Sequence, residues 1–524
     1  MNIPYFFSRK FHPYIWLLVL VFIGHPTRQV LAQSVAAYYN IRDFGAQGDG
    51  KHLDHEAINK AISTAAEQGG GTVLIPAGDY LCFSIHLQSN ITLHLSAGAT
   101  IIAAHMEEHD GQYDAPEPNP WGDLKYQDFG HSHFQNSLIW GEKLENIAIT
   151  GTGLIYGKGL QKWGNPKPGL GNKAIALKEC KNVTLKDFSI LQGGHFGILA
   201  TAVDNLTIQN LKIDTNRDAI DIDGCRHVQV SDCLLNSPND DALVLKSSYA
   251  LGRLIPAEHI KIVNCSVFGF DEGTLLDGTF QKTQKQAPDK GVVTGRIKFG
   301  TESNGAFRHI SISNCTFEHC RGFAFESVDG AIIENVTVSN IVMNDILNAP
   351  FFFRLGRRMR GPADLQIGSV KRILIDNVIV KANNPQYGSM LMGIPGHDVE
   401  DIQLSNIWIQ IKGGGTAEQA ETNVPELEKG YPDPQEFGDI PAYGFYIRHA
   451  KNIHMDNIHL EFENPDYRPA FILEDVKGAY FNQIQVQNMP GVAKFVLKDV
   501  QDFQWKENLA SKLVYFKNVN STSL

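Results

Sequence analysis

NVTLKDFSILQGGHFGILATAVDNLTIQNLKIDTNRDAIDIDGCRHVQVSDC, residues 182–233, carries one short pattern three times. NVTLKDF begins at Asn182, NLTIQNL at Asn205 and HVQVSDC at His227, 23 and 22 residues apart. In each, apolar and polar residues alternate, which is the period of a strand with one buried face. A unit this short holds two or three strands and their turns but no intervening helix, and near-constant spacing marks a solenoid. The pattern continues outward, at wider intervals, as NIAIT from Asn146, HIKIVNC from His259, HISISNC from His309, NVTVSNI from Asn335, ILIDNV from Ile373, DIQLSNI from Asp401 and NIHMDNI from Asn452. The expected fold is therefore all-β, a right-handed parallel β-helix cored by ladders of Ile, Val, Leu and Cys, with Asn bonding turn backbone at the corners. Two packed β domains are the competing arrangement, but hairpin signals such as Asn-Gly between alternating runs are scarce.

The segment 39–81, YNIRDFGAQGDGKHLDHEAINKAISTAAEQGGGTVLIPAGDYL, differs. Ile58, Ile62 and Ala65 have helical spacing, and a short helix here would cap the open end of the solenoid. Ahead of it, residues 1–32 read as a secretory signal: Arg9 and Lys10 precede an apolar run from Tyr14 to Gly24, followed by Val30-Leu31-Ala32. The expected organisation is a signal at 1–32, the cap and first coils at 33–110, and a catalytic β-helix with loop insertions at 111–524. The loop-rich stretch 117–136 suits either a groove wall or a surface loop.

Composition is that of a globular chain, 43% hydrophobic and 20% charged over 524 residues. Loss of residues 1–32, which hold Arg9, Lys10 and Arg28 and no acid, takes the formal charge from −11 to −14. Such a surface disfavours nucleic acid, and no stretch after the signal is long enough to span a membrane. The mature protein is expected in the bacterial periplasm or outside the cell, as a monomer. The seven cysteines recur at matching repeat positions, as in SDC, VNC and SNC ending at Cys233, Cys265 and Cys315, and are expected mostly as free core thiols. Asn-x-Ser/Thr sequons at Asn182, Asn205, Asn264, Asn314 and Asn335 fall on the same ladders, where glycans would clash with packing.

One repeat separates Asp218, in TNRDAIDIDGC, from the adjacent Asp240 and Asp241, in NSPNDDALVLKSS. On neighbouring coils about 4.8 Å apart the three carboxylates would converge. Crowded carboxylates raise one another's pKa, so one keeps a proton while another stays ionised, the division of labour that glycoside hydrolysis needs. Asp221 and Asp223 could instead complete a cation site, though Asp-x-Asp spacing alone is weak support. No cofactor and no metal are expected.

The motifs NIRDFGAQGDG, GGGTVLIPAG, NRDAIDIDGC and NDDALVLKS together resemble those of glycoside hydrolase family 28, the polygalacturonase-like enzymes. APFFFRLGRRMRGP and YPDPQEFGDIPAYGFYIRH are similar to a bacterial branch of that family. The resemblance implies inverting hydrolysis of a pectic polysaccharide or oligosaccharide, of galacturonan or rhamnogalacturonan type. It makes Asp240 the general acid, with Asp218 and Asp241 holding the attacking water. The chain also departs from the family. Arg217 stands at a threonine position, Thr294–Arg296 replaces Gly-His-Gly, and the Arg-Ile-Lys that grips a uronate falls on Ala324–Glu326. A literal Arg-Ile-Lys at Arg296–Lys298 lies one coil early. An anion at Glu326 would make plain polygalacturonate a poor substrate. Candidate substrate-binding residues are Lys246, Arg296, Lys298, Arg354, Arg357 and His195, with Arg358 and Arg360 as further cations and Trp121, Trp140 and Trp163 as stacking surfaces. A β-helix lyase or epimerase, or a noncatalytic glycan-binding solenoid, are the alternatives.

Overall fold

The structure, a computed structural model, describes residues 38–121, 129–284 and 291–524; the expected signal at 1–32 lies outside them. These residues wind into a right-handed parallel β-helix in which each strand pairs with its counterpart one coil on. One inward ladder runs in register through Val183, Leu206, Val228, Ile260, Ile310, Val336, Ile373, Ile402 and Ile453. Strand Lys181–Lys186 buries Val183 and Leu185 and leaves its alternate residues at the surface, the pattern expected of a half-buried sheet. Pairing runs without a break from the coils before residue 110 into those after it, as where Ala99–Ala103 meets Leu154–Tyr156. Val514–Ser523 pairs antiparallel with Phe495–Lys506. Among the described residues no helix is long and apolar enough to cross a membrane.

The helix His55–Glu67 buries Ile58, Ala61, Ile62 and Ala65 against the first coils, so the apolar stripe read from the sequence is its packing face. The corner asparagines do something different from the expected bonding to backbone. Asn146, Asn182 and Asn205 each adopt a left-handed backbone, near φ 54–61°, a conformation Asn tolerates better than most residues. Their side chains bond one another coil to coil, from Asn146 to Asn90, Asn182 to Asn146 and Asn205 to Asn182, at 2.8–2.9 Å. His227, His259 and His309 continue the corner as stacked rings with centroids 5.3 and 5.0 Å apart.

All seven cysteines are free and buried. An aromatic disulfide reagent is therefore expected to label none of them in the native protein and all of them after unfolding. Rapid labelling of a native thiol would contradict this placement.

A second sheet face positions the site. Strands Phe196–Thr201, Asp218–Asp223, Leu243–Ser247, Ile297–Ser303, Phe323–Ser327 and Phe351–Leu355 are buried on both faces. Their inward residues join the core, while loops cover the outward ones. Val424, Phe437, Ile440 and Ala442 from one such loop pack on Ala324, Phe352 and Met390. A buried ion pair from Arg321 to Asp433, 2.7 Å, ties that loop to the coils.

Candidate active site

The register brings the three expected aspartates together. Asp218 opens the strand Asp218–Asp223, and Asp240 and Asp241 lie in the turn before Leu243–Ser247 on the next coil. The amide of Asp241 donates to Oδ1 of Asp218 and to Oδ1 of Asp240, both at 3.1 Å. One carboxylate oxygen from each residue lies within 4.8 Å of the others. They line a cavity of about 340 Å³ together with Phe129, His195, Phe196, Arg217, Lys246, Lys298, Thr301, Glu302, Arg360 and Tyr431.

Each carboxylate faces its own cation. Nη2 of Arg217 lies 2.6 Å from Oδ2 of Asp240. Arg296 Nε and Lys298 Nζ hold the two oxygens of Asp241 at 2.7 and 3.2 Å. Lys246 Nζ lies 3.4 Å from Asp218, 2.8 Å from Asp221 and 3.6 Å from Glu302. Three carboxylates this close could share a divalent ion, but the charge such an ion would bring is already supplied by amines and guanidinium groups. Asp223 is likewise engaged, accepting from the amide and hydroxyl of Ser248 at 2.8 and 2.6 Å.

These neighbours split the carboxyl groups as crowding should. Burial, then Asp221 and Asp240, drive the Asp218 carboxyl well above its ordinary range, against the pull of Lys246. Burial also pushes Asp241 up, but Lys298 and Arg296 outweigh it and hold that group below its usual value. Burial carries Asp221 up to about 7 against Lys246. The surroundings thus favour the protonated form at Asp218 and the ionised form at Asp241.

His195 lines the cavity between the rings of Phe129 and Phe196, at 4.8 and 4.6 Å. Its Nδ1 donates to the Lys162 carbonyl at 2.9 Å. Burial, with Arg217 nearby, lowers its pKa to about 3, so the ring is neutral near pH 7.

Three expected substrate-binding residues do not line the cavity, among them Arg296, which is turned to Asp241. Arg354 is buried with its guanidinium on the backbone carbonyls of Gly393 and Glu426, so it braces the covering loop. Arg357 pairs with Glu428 at 2.6 Å on the surface and does not line the cavity. Arg358 is turned to Asp329, whereas Arg360 reaches the cavity. Trp140 donates to Asp114, Trp121 packs on Tyr249, and Trp163 lies under the Arg217 guanidinium.

The early Arg-Ile-Lys sits on the coil directly after the aspartate pair, with Lys298 beside Val244, and Ala324 follows one coil later. Its first task is to clamp Asp241. Glu326, expected as an anion facing the substrate, is instead fully buried, 3.8 Å from Arg296 and 3.6 Å from Lys298. It backs those cations and does not line the cavity, so the expected repulsion of acidic sugars has no source there.

Sequence reasoning missed Phe129, Phe196, Thr301, Glu302 and Tyr431 as cavity residues. Tyr431 arrives on a loop 190 residues beyond Asp241 in the chain, and no local pattern announces such a contact. Glu302 is outward-facing in a strand whose alternation hides nothing, yet a charged residue inside a run buried on both faces was an available signal.

A family model described as rhamnogalacturonase A/epimerase, pectate lyase-like, matches residues 38–242. A probable polygalacturonase of Vitis vinifera is 28% identical over 237 residues, 42% of this chain and 47% of that protein. An exo-poly-α-D-galacturonosidase of Dickeya chrysanthemi is 25% identical over 281 residues, 49% of this chain and 45% of that protein. The chain thus spans less than half the length of these curated relatives. The solved family 28 exopolygalacturonase of Yersinia enterocolitica shares the fold with a TM-score of 0.62 at 17% identity, over 87% of this chain and 79% of that one. By motifs, family model and curated relatives this chain is similar to the polygalacturonases of glycoside hydrolase family 28, and it shares their parallel β-helix fold.

Proposed function

We propose that the protein is an exported glycoside hydrolase that cleaves a pectic polysaccharide or oligosaccharide with inversion. The observation that carries the reading is the convergence of Asp218, Asp240 and Asp241 on a cavity that also presents Arg217, Lys298 and Arg360. Asp240 gives its proton to the glycosidic oxygen, and Asp218 with Asp241 grips the water that attacks the anomeric carbon. The cations favour an acidic sugar in the cavity, and Phe129, Phe196 and Tyr431 offer it apolar faces. His195, neutral and anchored through Nδ1, leaves Nε2 to accept a sugar hydroxyl.

Separation alone does not argue for inversion. The carboxylate oxygens lie within 4.8 Å, nearer the roughly 5–5.5 Å of double-displacement enzymes than the wider gap usual for inversion. Against a covalent route stands the clamp on Asp241. A carboxylate whose two oxygens are held by Arg296 and Lys298 is a poor nucleophile toward carbon but still accepts a hydrogen bond from water. Proton NMR of the first-formed product from an oligogalacturonide is expected to show the anomer opposite to that of the cleaved bond. A retained anomer removes the water-holding assignment, and no cleavage across a panel of linear and branched pectic oligosaccharides removes the hydrolytic one.

A further inference from the structure

Asp240 is the proposed proton donor, yet its Oδ2 lies 2.6 Å from Nη2 of Arg217. An ion pair that close favours the ionised carboxylate, the wrong state for an acid. The Arg217 guanidinium also lies over the Trp163 ring, 4.6 Å from its centroid, with Phe129 at 5.8 Å. Trp163 is 42% exposed while Arg217 is itself buried at 3%, so the guanidinium lies between Asp240 and an aromatic face and can exchange one carboxylate for another while it stays stacked. Arg217 stands in this chain where the family motif has threonine, so the pair with Asp240 is a departure and calls for its own account.

We propose that Arg217 is a specificity-determining residue: the carboxylate of an acidic sugar beside the scissile bond draws its guanidinium off Asp240, and only then does Asp240 carry the proton it donates. The inference rests on the hydrolytic reading above. A uronate offers the planar guanidinium a carboxylate that it can grip with both arms of its fork, in exchange for the one it leaves. A neutral or esterified sugar offers none, and the acid stays masked. The proton reaches Asp240 from Asp218, its neighbour on the shared Asp241 amide. It passes to the glycosidic oxygen as the carbon–oxygen bond breaks, and Asp218 regains a proton from the attacking water. Asp218, Asp241, Lys246, Lys298 and Arg360 also face this centre; Lys246 is shared among Asp218, Asp221 and Glu302, and Asp241 is held by both Arg296 and Lys298.

The test compares hydrolysis of an oligogalacturonide with that of its methyl ester, which has nearly the same shape and no carboxylate charge. The parent is expected to favour the acid by about tenfold or more in kcat, and Arg217→Gln to bring the ratio within about threefold. In that variant turnover of the ester should rise, because the acid is no longer masked, while turnover of the uronate falls. An unchanged ratio, or an equal fall on both substrates, overturns the inference and leaves the hydrolytic reading standing. Absence of turnover of either by the parent overturns the inference, and the hydrolytic reading falls with it only if the wider panel of pectic oligosaccharides is not cleaved either. Should Arg217→Gln fail to fold, Arg217→Lys decides, since it keeps the charge and loses the fork; a ratio that falls several-fold supports the inference and a parental ratio sinks it.

Discussion

Asp240→Asn is expected to lower kcat by about two orders of magnitude or more on any glycan the parent cleaves, while the melting temperature moves by only a few degrees. The amide has the shape of the carboxyl and still accepts from Arg217, but it has no proton to give. The fold should tolerate the change because Asp240 is one of three crowded carboxylates, and removing one negative charge relieves its neighbours while leaving Arg217 with a weaker partner. Initial rates and a thermal melt on the same preparation check both halves. Near-parental kcat would take Asp240 out of the mechanism. A collapse of the melt would instead mean that the Arg217 pair is chiefly structural.

Lys246→Met should be the most destabilising single change at the site, by about 3–5 kcal/mol at neutral pH, because it strands buried carboxylates without their cation. Lys246 is 6% exposed and reaches Asp218, Asp221 and Glu302 at 3.4, 2.8 and 3.6 Å. Those ion pairs lift the Lys246 pKa well above its ordinary value against the opposing effect of burial. A raised folded-state pKa on a lysine gives stability that is fully present below the unfolded value and fades only in strong base, so between pH 5 and 8 the lysine stays charged and only its carboxyl partners titrate. The variant behaves differently. Its carboxyl groups, already raised by burial at Asp218 and Asp221, rise further without the lysine and are relieved by protonation. The deficit should therefore shrink as pH falls from 8 toward 5. Denaturant unfolding of parent and variant at both pH values measures it. Equal stability at pH 8, or a deficit that grows on acidification, would contradict the pairing described here.

The solenoid was legible because its cause is local. A period of 22 or 23 residues with two-residue alternation permits stacked coils and little else, and the same regularity put Asp218 one coil from Asp240 and Asp241. The capping helix was legible for the same reason, since Ile58, Ile62 and Ala65 share a face by spacing alone. What the side chains do across coils was not legible. The sequence could place the Arg296–Lys298 motif one coil early, but only the packed site shows Arg296 and Lys298 closing on Asp241 with Glu326 sealed behind them.

Arg354 and Arg357 show the limit from the other side. Both sit in a run of arginines that reads as a cationic grip, yet one turns to backbone carbonyls beneath a covering loop and the other to Glu428 at the surface. Charge in a sequence gives neither direction nor partner. The chain by itself therefore determined the coil, its register and the carboxylates that the register stacks, because strand period and repeat length are properties of neighbours in sequence. The tertiary structure alone decided which cation meets which carboxylate, which carboxyl group is pushed up and which is held down, and what walls the cavity, because those depend on burial and on distances between residues that meet only after the loops fold over the coils.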